Sequence, residues 1–166
     1  MKIAMISVHG CPLRQIGYGS AGGMNVFILE SSKFLSSMGV DIDIFTRCHD
    51  HDDPPIVDLV ERCKVIHLEA GPLDLSKDKI YESLPEFSKK VVAYASEKNE
   101  NYDLIVSHYW LSGLVGSYLK EEWNINHITT FHTLSLLKSQ GLPKLNVPII
   151  RKNGEKKVIE KSDEIL

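Results

Sequence analysis

Residues 2–8, KIAMISV, form a nearly continuous apolar run, and residues 24–39, MNVFILESSKFLSSMG, follow after a polar loop. The run reads as a strand buried on both faces of a parallel sheet, because a strand with one solvated face would alternate apolar and polar side chains. In the second stretch Met24, Phe27, Ile28, Phe34, Leu35 and Met38 recur at helical spacing, and Gly39 supplies a stop. Strand, loop and helix in that order are the opening of a βαβ unit.

Outward from that unit the pattern repeats. Residues 40–46 (VDIDIFT) read as a second strand, 65–68 as a third, 104–107 as a fourth and 127–131 as a fifth. Between them, Pro85 stands where a helix can begin, with Phe87, Val91, Val92, Tyr94 and Ala95 on its apolar face, and residues 111–123 form a further helix. Strands alternating with helices predict a Rossmann-like, doubly wound parallel α/β sheet over residues 1–166. A polar helix over residues 149–161 runs into Ser162-Asp163 and then Glu164-Ile165-Leu166, which reads as the start of another strand. A domain seldom stops at the first residues of a central strand, so the chain is expected to be a piece of a longer protein.

Composition limits the function classes. A length of 166 residues, 43% of them hydrophobic, suffices for one domain with a substantial core. A net charge of −3 gives no broad positive field for a nucleic-acid backbone, so nucleic acid is excluded as a partner. No segment approaches the ~20 apolar residues of a membrane span, and the start lacks a signal-peptide pattern. The 3 cysteines, Cys11, Cys48 and Cys63, are widely spaced, which fits reduced thiols and a cytoplasmic location.

Gly17-Tyr18-Gly19-Ser20-Ala21-Gly22-Gly23 matches GxGxxG at Gly17, Gly19 and Gly22. A dinucleotide fingerprint would follow its strand at once and pair with an acidic residue ending the second strand. Here 8 residues separate Val8 from Gly17, and the second strand ends at Thr46-Arg47, so a nicotinamide cofactor is not expected. Glycines ahead of a helix N-terminus still favour a phosphorylated ligand, with an ordinary surface turn as the alternative. The run Cys48-His49-Asp50-His51-Asp52-Asp53 holds metal-ligand residue types without a second group at matching spacing, and it reads as a polar loop. No metal and no cofactor are expected.

Two further stretches, Ser107-His108-Tyr109-Trp110 and Thr130-Phe131-His132-Thr133-Leu134, fall at carboxyl ends of strands, where open α/β sheets bind ligands. Each histidine alone is as well explained by a structural hydrogen bond. Both beside a glycine-rich loop favour a site.

Together, the first strand, Ala21-Gly22-Gly23-Met24-Asn25-Val26, Ser107-His108-Tyr109-Trp110-Leu111-Ser112-Gly113 and Phe131-His132-Thr133-Leu134 resemble family 4 glycosyltransferases of the GT-B fold, in the branch of sucrose-phosphate synthase and of the mycothiol-pathway transferases acting on inositol phosphate. Ala70-Gly71-Pro72, Leu84-Pro85-Glu86-Phe87 and Glu155…Ser162-Asp163 fit the same pattern.

The resemblance implies an N-terminal, acceptor-side domain facing a separate C-terminal domain, absent from this chain, that holds most of a nucleoside-diphosphate sugar, expected to be a UDP-sugar. It implies retaining hexosyl transfer through an oxocarbenium-like transition state, without a protein nucleophile, to a phosphorylated sugar or cyclitol. The isolated chain should then be inactive. Gly22 and Gly23 would border the donor diphosphate, Asn25 would reach the acceptor or the site between acceptor and diphosphate, and His132 would line the reaction centre as a positioning and electrostatic residue. Lys77, Tyr109, Thr133 and Arg151 would surround the acceptor phosphate, with Lys79 an alternative to Lys77 and solvation on a polar helix an alternative role for Arg151. His9 and His108 would line the site. An unphosphorylated glycan or lipid-linked acceptor, a non-catalytic nucleotide-binding module and a homodimer stay open.

Overall fold

The computed structural model describes residues 1–14, 22–75, 79–135, 137 and 147–166. Lys2–Ile6 (β1) is the central strand of a seven-stranded sheet that also contains Asp41–Arg47 (β2), Ile56–Val60 (β3), Cys63–Leu68 (β4), Leu104–His108 (β5), Asn126–Thr130 (β6) and Glu164–Ile165 (β7). The order is β3-β4-β2-β1-β5-β6-β7, and every neighbouring pair is parallel except β3 with β4. Helices Gly23–Ser37 (α1), Leu84–Lys98 (α2), Tyr109–Trp123 (α3) and Ile149–Lys161 (α4) connect the parallel strands.

The expected doubly wound α/β sheet is present, and the apolar run of β1 shows why. Alternate side chains go to opposite faces, so Ile3 and Met5 join Ile28 of α1 in one core, with Ile42, Ile44 and Val65. Ala4 and Ile6 join the other core, beneath Phe87 and Val91 of α2, Leu111, Val115 and Leu119 of α3, and Val158 of α4. Gly39 ends α1 at a φ of 86°, a left-handed conformation that glycine adopts without strain.

The structure corrects one element. Residues 56–60, to which the sequence pattern assigns no element, form an antiparallel edge strand, because only Glu61 and Arg62 separate β3 from β4 and so short a link cannot make a parallel crossover. Elsewhere the differences are at boundaries. Ser7 and Val8, past the end of β1, keep ladder-like bonds through Ser7 N–H to Phe45 C=O at 2.9 Å and Arg47 N–H to Val8 C=O at 3.1 Å. α3 begins at Tyr109, two residues before the predicted start.

Among the described residues no helix is long and apolar enough to cross a membrane.

Candidate functional site

In this order the chain runs to one side of β1 through β2 and returns on the other side at β5, so the sheet's topological switch point lies between β1 and β5. Open α/β sheets bind their ligands there, at the carboxyl ends of the strands. His9 follows β1, His108 ends β5, Tyr109 starts α3, His132 and Thr133 follow β6, and Arg151 lies in the first turn of α4.

The strand-end backbones are strained. Tyr109 has a φ of 76° and His132 a φ of 57°, both in the left-handed region that bulky residues avoid. At His132 the chain makes a γ-turn, with Thr133 N–H donating to Phe131 C=O at 2.6 Å. Each such residue costs about 1–3 kcal/mol and persists only where surrounding contacts fix it.

Those contacts are explicit. His108 Nδ1 and His132 Nε2 are 3.0 Å apart, and Phe27 of α1 packs edge-on against both rings, at 5.8 Å from His108 and 5.3 Å from His132. Burial, then the neighbouring His132, lowers the His108 pKa to about 3, and burial lowers that of His132. Both rings are therefore neutral near pH 7, and a bond between them needs one donor and one acceptor. His108 Nε2 is buried without a partner among the described residues. An orphaned lone pair there is more tolerable than an orphaned N–H, so His108 carries its proton on Nδ1 and donates to His132. His132 then holds its own proton on Nδ1.

Beside this pair a second cluster forms. The Arg151 Nη2 donates to Thr133 C=O at 3.0 Å and to Thr133 Oγ1 at 3.3 Å, and the guanidinium lies 5.1 Å from the centre of the Tyr109 ring. Tyr109 also meets His9, with ring centres 4.8 Å apart. Arg151 Nε donates to Glu155 Oε1 at 2.7 Å.

The structure thus brings together Tyr109, Thr133 and Arg151, with His9, His108 and His132 alongside. Gly22 caps α1 and Gly23 opens it, one turn ahead of Phe27, and a methyl group added at either glycine would meet nothing within 4 Å. Asn25 differs from its expected place. Its amide is buried, Nδ2 donating to Cys11 C=O at 2.7 Å and Oδ1 accepting from Gly22 N–H at 3.3 Å, so here it fixes the start of α1 rather than facing the switch point. Lys77 and the glycines at positions 17 and 19 lie outside the described residues; Lys79 is exposed.

Phe27 and Glu155 were not singled out as site residues by sequence. Phe27 fits the apolar period of α1, yet it is 49% exposed, and that combination is visible only in three dimensions. The acidic run after β2 is engaged internally: Asp53 Oδ2 accepts from His49 N–H at 2.8 Å and Asp50 N–H at 2.9 Å, and Asp53 pairs with Arg14. Among the described residues no three metal-ligating side chains converge.

The sequence profile of Glycosyltransferase Family 4 matches residues 21–166. A D-inositol 3-phosphate glycosyltransferase of Corynebacterium urealyticum is 39% identical over 169 residues, covering 100% of this chain and 40% of its own length. One from Corynebacterium aurimucosum is 44% identical over 140 residues, covering 84% of this chain and 33% of its own length. Among solved structures, a sucrose-phosphate synthase from Thermosynechococcus elongatus superposes with a TM-score of 0.90 at 36% identity, over 99% of this chain and 41% of its own. The chain spans about two-fifths or less of the length of these three relatives.

Proposed function

The chain belongs to glycosyltransferase family 4, and on that premise we propose that it forms the acceptor half of a retaining transferase moving a hexose from a UDP-sugar to a phosphorylated cyclitol or sugar. The observation that carries this is the convergence of Arg151, Thr133 and Tyr109 beside the His108–His132 pair. A guanidinium and neutral hydroxyls suit a phosphate dianion, which takes charge-assisted donors. Relatives named as acting on inositol 3-phosphate agree with that chemistry.

In this reading the diphosphate of the donor lies against the open start of α1 at Gly22 and Gly23, where backbone N–H groups favour an anion. His132 presents Nδ1–H as a donor to the transferring sugar. The carboxylate nearest this cluster, Glu155, is 4% exposed and saturated by Arg151 and Ser135, so it does not act as a nucleophile. Acceleration then rests on orientation of acceptor against donor and on electrostatic stabilisation of separating charge, with retention through front-face attack. The remaining part of the relatives' length would hold the nucleotide, and the reaction would take place in the cytoplasm without a metal.

Calorimetric titration of the chain with myo-inositol 3-phosphate, myo-inositol and inorganic phosphate tests the acceptor assignment. Binding of the phosphorylated ligand is expected to exceed that of myo-inositol, and Arg151→Met is expected to weaken it by tenfold or more, since a charged hydrogen bond contributes about 1.5–3 kcal/mol. Equal affinity for the two cyclitols, or no loss in the variant, rejects a phosphate-reading site.

A further inference from the structure

We propose that Glu155 is the positioning residue of this site, holding Arg151 and the strained turn after β6 in one geometry; the inference rests on the acceptor reading above. Glu155 lies on α4, one turn after Arg151, and its carboxylate accepts from two directions. From α4 comes Arg151 Nε–H, at 2.7 Å from Oε1. From the segment after β6 come Ser135 N–H, at 3.1 Å from Oε1 and 3.0 Å from Oε2, and the Ser135 hydroxyl, at 2.5 Å from Oε2.

The consequence is a closed circuit. Glu155 fixes Arg151 at Nε, which leaves Nη2 aimed at the carbonyl and hydroxyl of Thr133. Thr133 closes the γ-turn around His132, and Ser135, two residues on, returns to Glu155. The strained φ of His132 is thus held by the segment that follows it, whose contacts one carboxylate organises.

Gly154 makes the depth of Glu155 attainable. A Cβ at position 154 would run into the Trp110 ring, so only glycine lets this turn of α4 press against α3. An arginine without such a partner samples many rotamers, and ordering it on binding weakens the ligand; Glu155 orders it beforehand. A lysine at 151 could not serve, since it lacks the planar fork that meets Glu155 and Thr133 together.

The test is a double-mutant cycle in the full chain, read as affinity for myo-inositol 3-phosphate. Glu155→Gln removes the negative charge and leaves one acceptor oxygen where Arg151 Nε–H and the Ser135 N–H and hydroxyl now use two, and it is expected to weaken binding about tenfold. In an Arg151→Met background the same change is expected to cost clearly less than in the parent, because much of the effect of Glu155 passes through Arg151; a purely structural role gives additive losses and overturns the proposal. The unmodified chain offers a reading independent of mutant folding: the Arg151 Nε–H resonance is expected to exchange slowly with water and to shift on adding inorganic phosphate. Rapid exchange of that proton overturns the proposal. If the unmodified chain ignores every phosphorylated ligand, the acceptor reading fails and takes this inference with it; if it binds them and Glu155→Gln binds equally, only the role of Glu155 fails.

Discussion

His108 and His127 are 2% and 0% exposed, and each ring is fixed by a short contact. His127 Nε2 lies 2.7 Å from Ser107 Oγ and 3.1 Å from Thr129 Oγ1, inside the sheet. Burial lowers its pKa to about 4, and burial lowers that of His108 to about 3. In the unfolded chain both titrate near their ordinary value of about 6.5. Between about pH 6.5 and 4 the unfolded chain therefore binds protons that the folded one refuses, so stability is complete above that window and declines as pH falls through it. The slope is roughly 1 kcal/mol per pH unit for each histidine. Urea midpoints at pH 7.5, 6 and 5 are expected to decline steadily, in a range where carboxylates remain ionised. A midpoint unchanged down to pH 5 would show that these rings are not buried as neutral groups.

Among elements, the contact between α3 and α4 sets the site because α4 carries both Arg151 and Glu155. It is made close by glycines on each helix. Gly113 of α3 receives Val158 of α4, whose Cγ1 would lie 2.5 Å from an added Cβ, and Gly154 of α4 receives Trp110 of α3. Gly154→Ala gains up to about 1 kcal/mol of helix propensity, whereas forcing a methyl into a packed aromatic ring costs about 1–3 kcal/mol. Overpacking wins, so the variant is expected to melt lower by several degrees and to bind phosphorylated ligand more weakly, since α4 must move outward with Arg151. A variant that melts higher than the parent would mean that the ring yields and that the helices are not held at this distance by residue 154.

For the whole molecule, the sheet places its switch point at one end and an ionic network at the other. At the far end Asp43, 2% exposed, accepts from the Tyr102 hydroxyl at 2.7 Å and pairs with Lys2 at 3.1 Å and Lys64 at 3.5 Å, while Glu100 joins both lysines. Binding groups and stabilising groups thus sit on opposite edges. On the proposed reading Tyr109, Thr133 and Arg151 of this chain meet the acceptor phosphate, whereas among the described residues the donor would meet the N-terminus of α1. The chain alone is expected to bind phosphorylated acceptor without measurable hexosyl transfer from a UDP-sugar, and transfer is expected only when the rest of the relatives' length is present. Release of UDP by the chain alone, in step with acceptor consumption, would refute that division of labour.

Sequence patterning by itself determined the sheet and its helices. Buried parallel strands such as β1 are apolar throughout, and α1 and α2 carry their burial at helical spacing, so both signals are local. The strand-end histidines and the Tyr109, Thr133 and Arg151 set could be named from motifs because motifs keep residue type and order. Only the tertiary structure decided that Asn25 turns inward to Cys11, that Phe27 leaves the core to wall the histidine pair, that residues 56–60 join the sheet, and that Glu155 ties α4 to the turn after β6. Each of these depends on which surfaces meet across tens of residues. A side chain's period along its own element fixes the face it points from, whereas its partner is set by how separate elements pack.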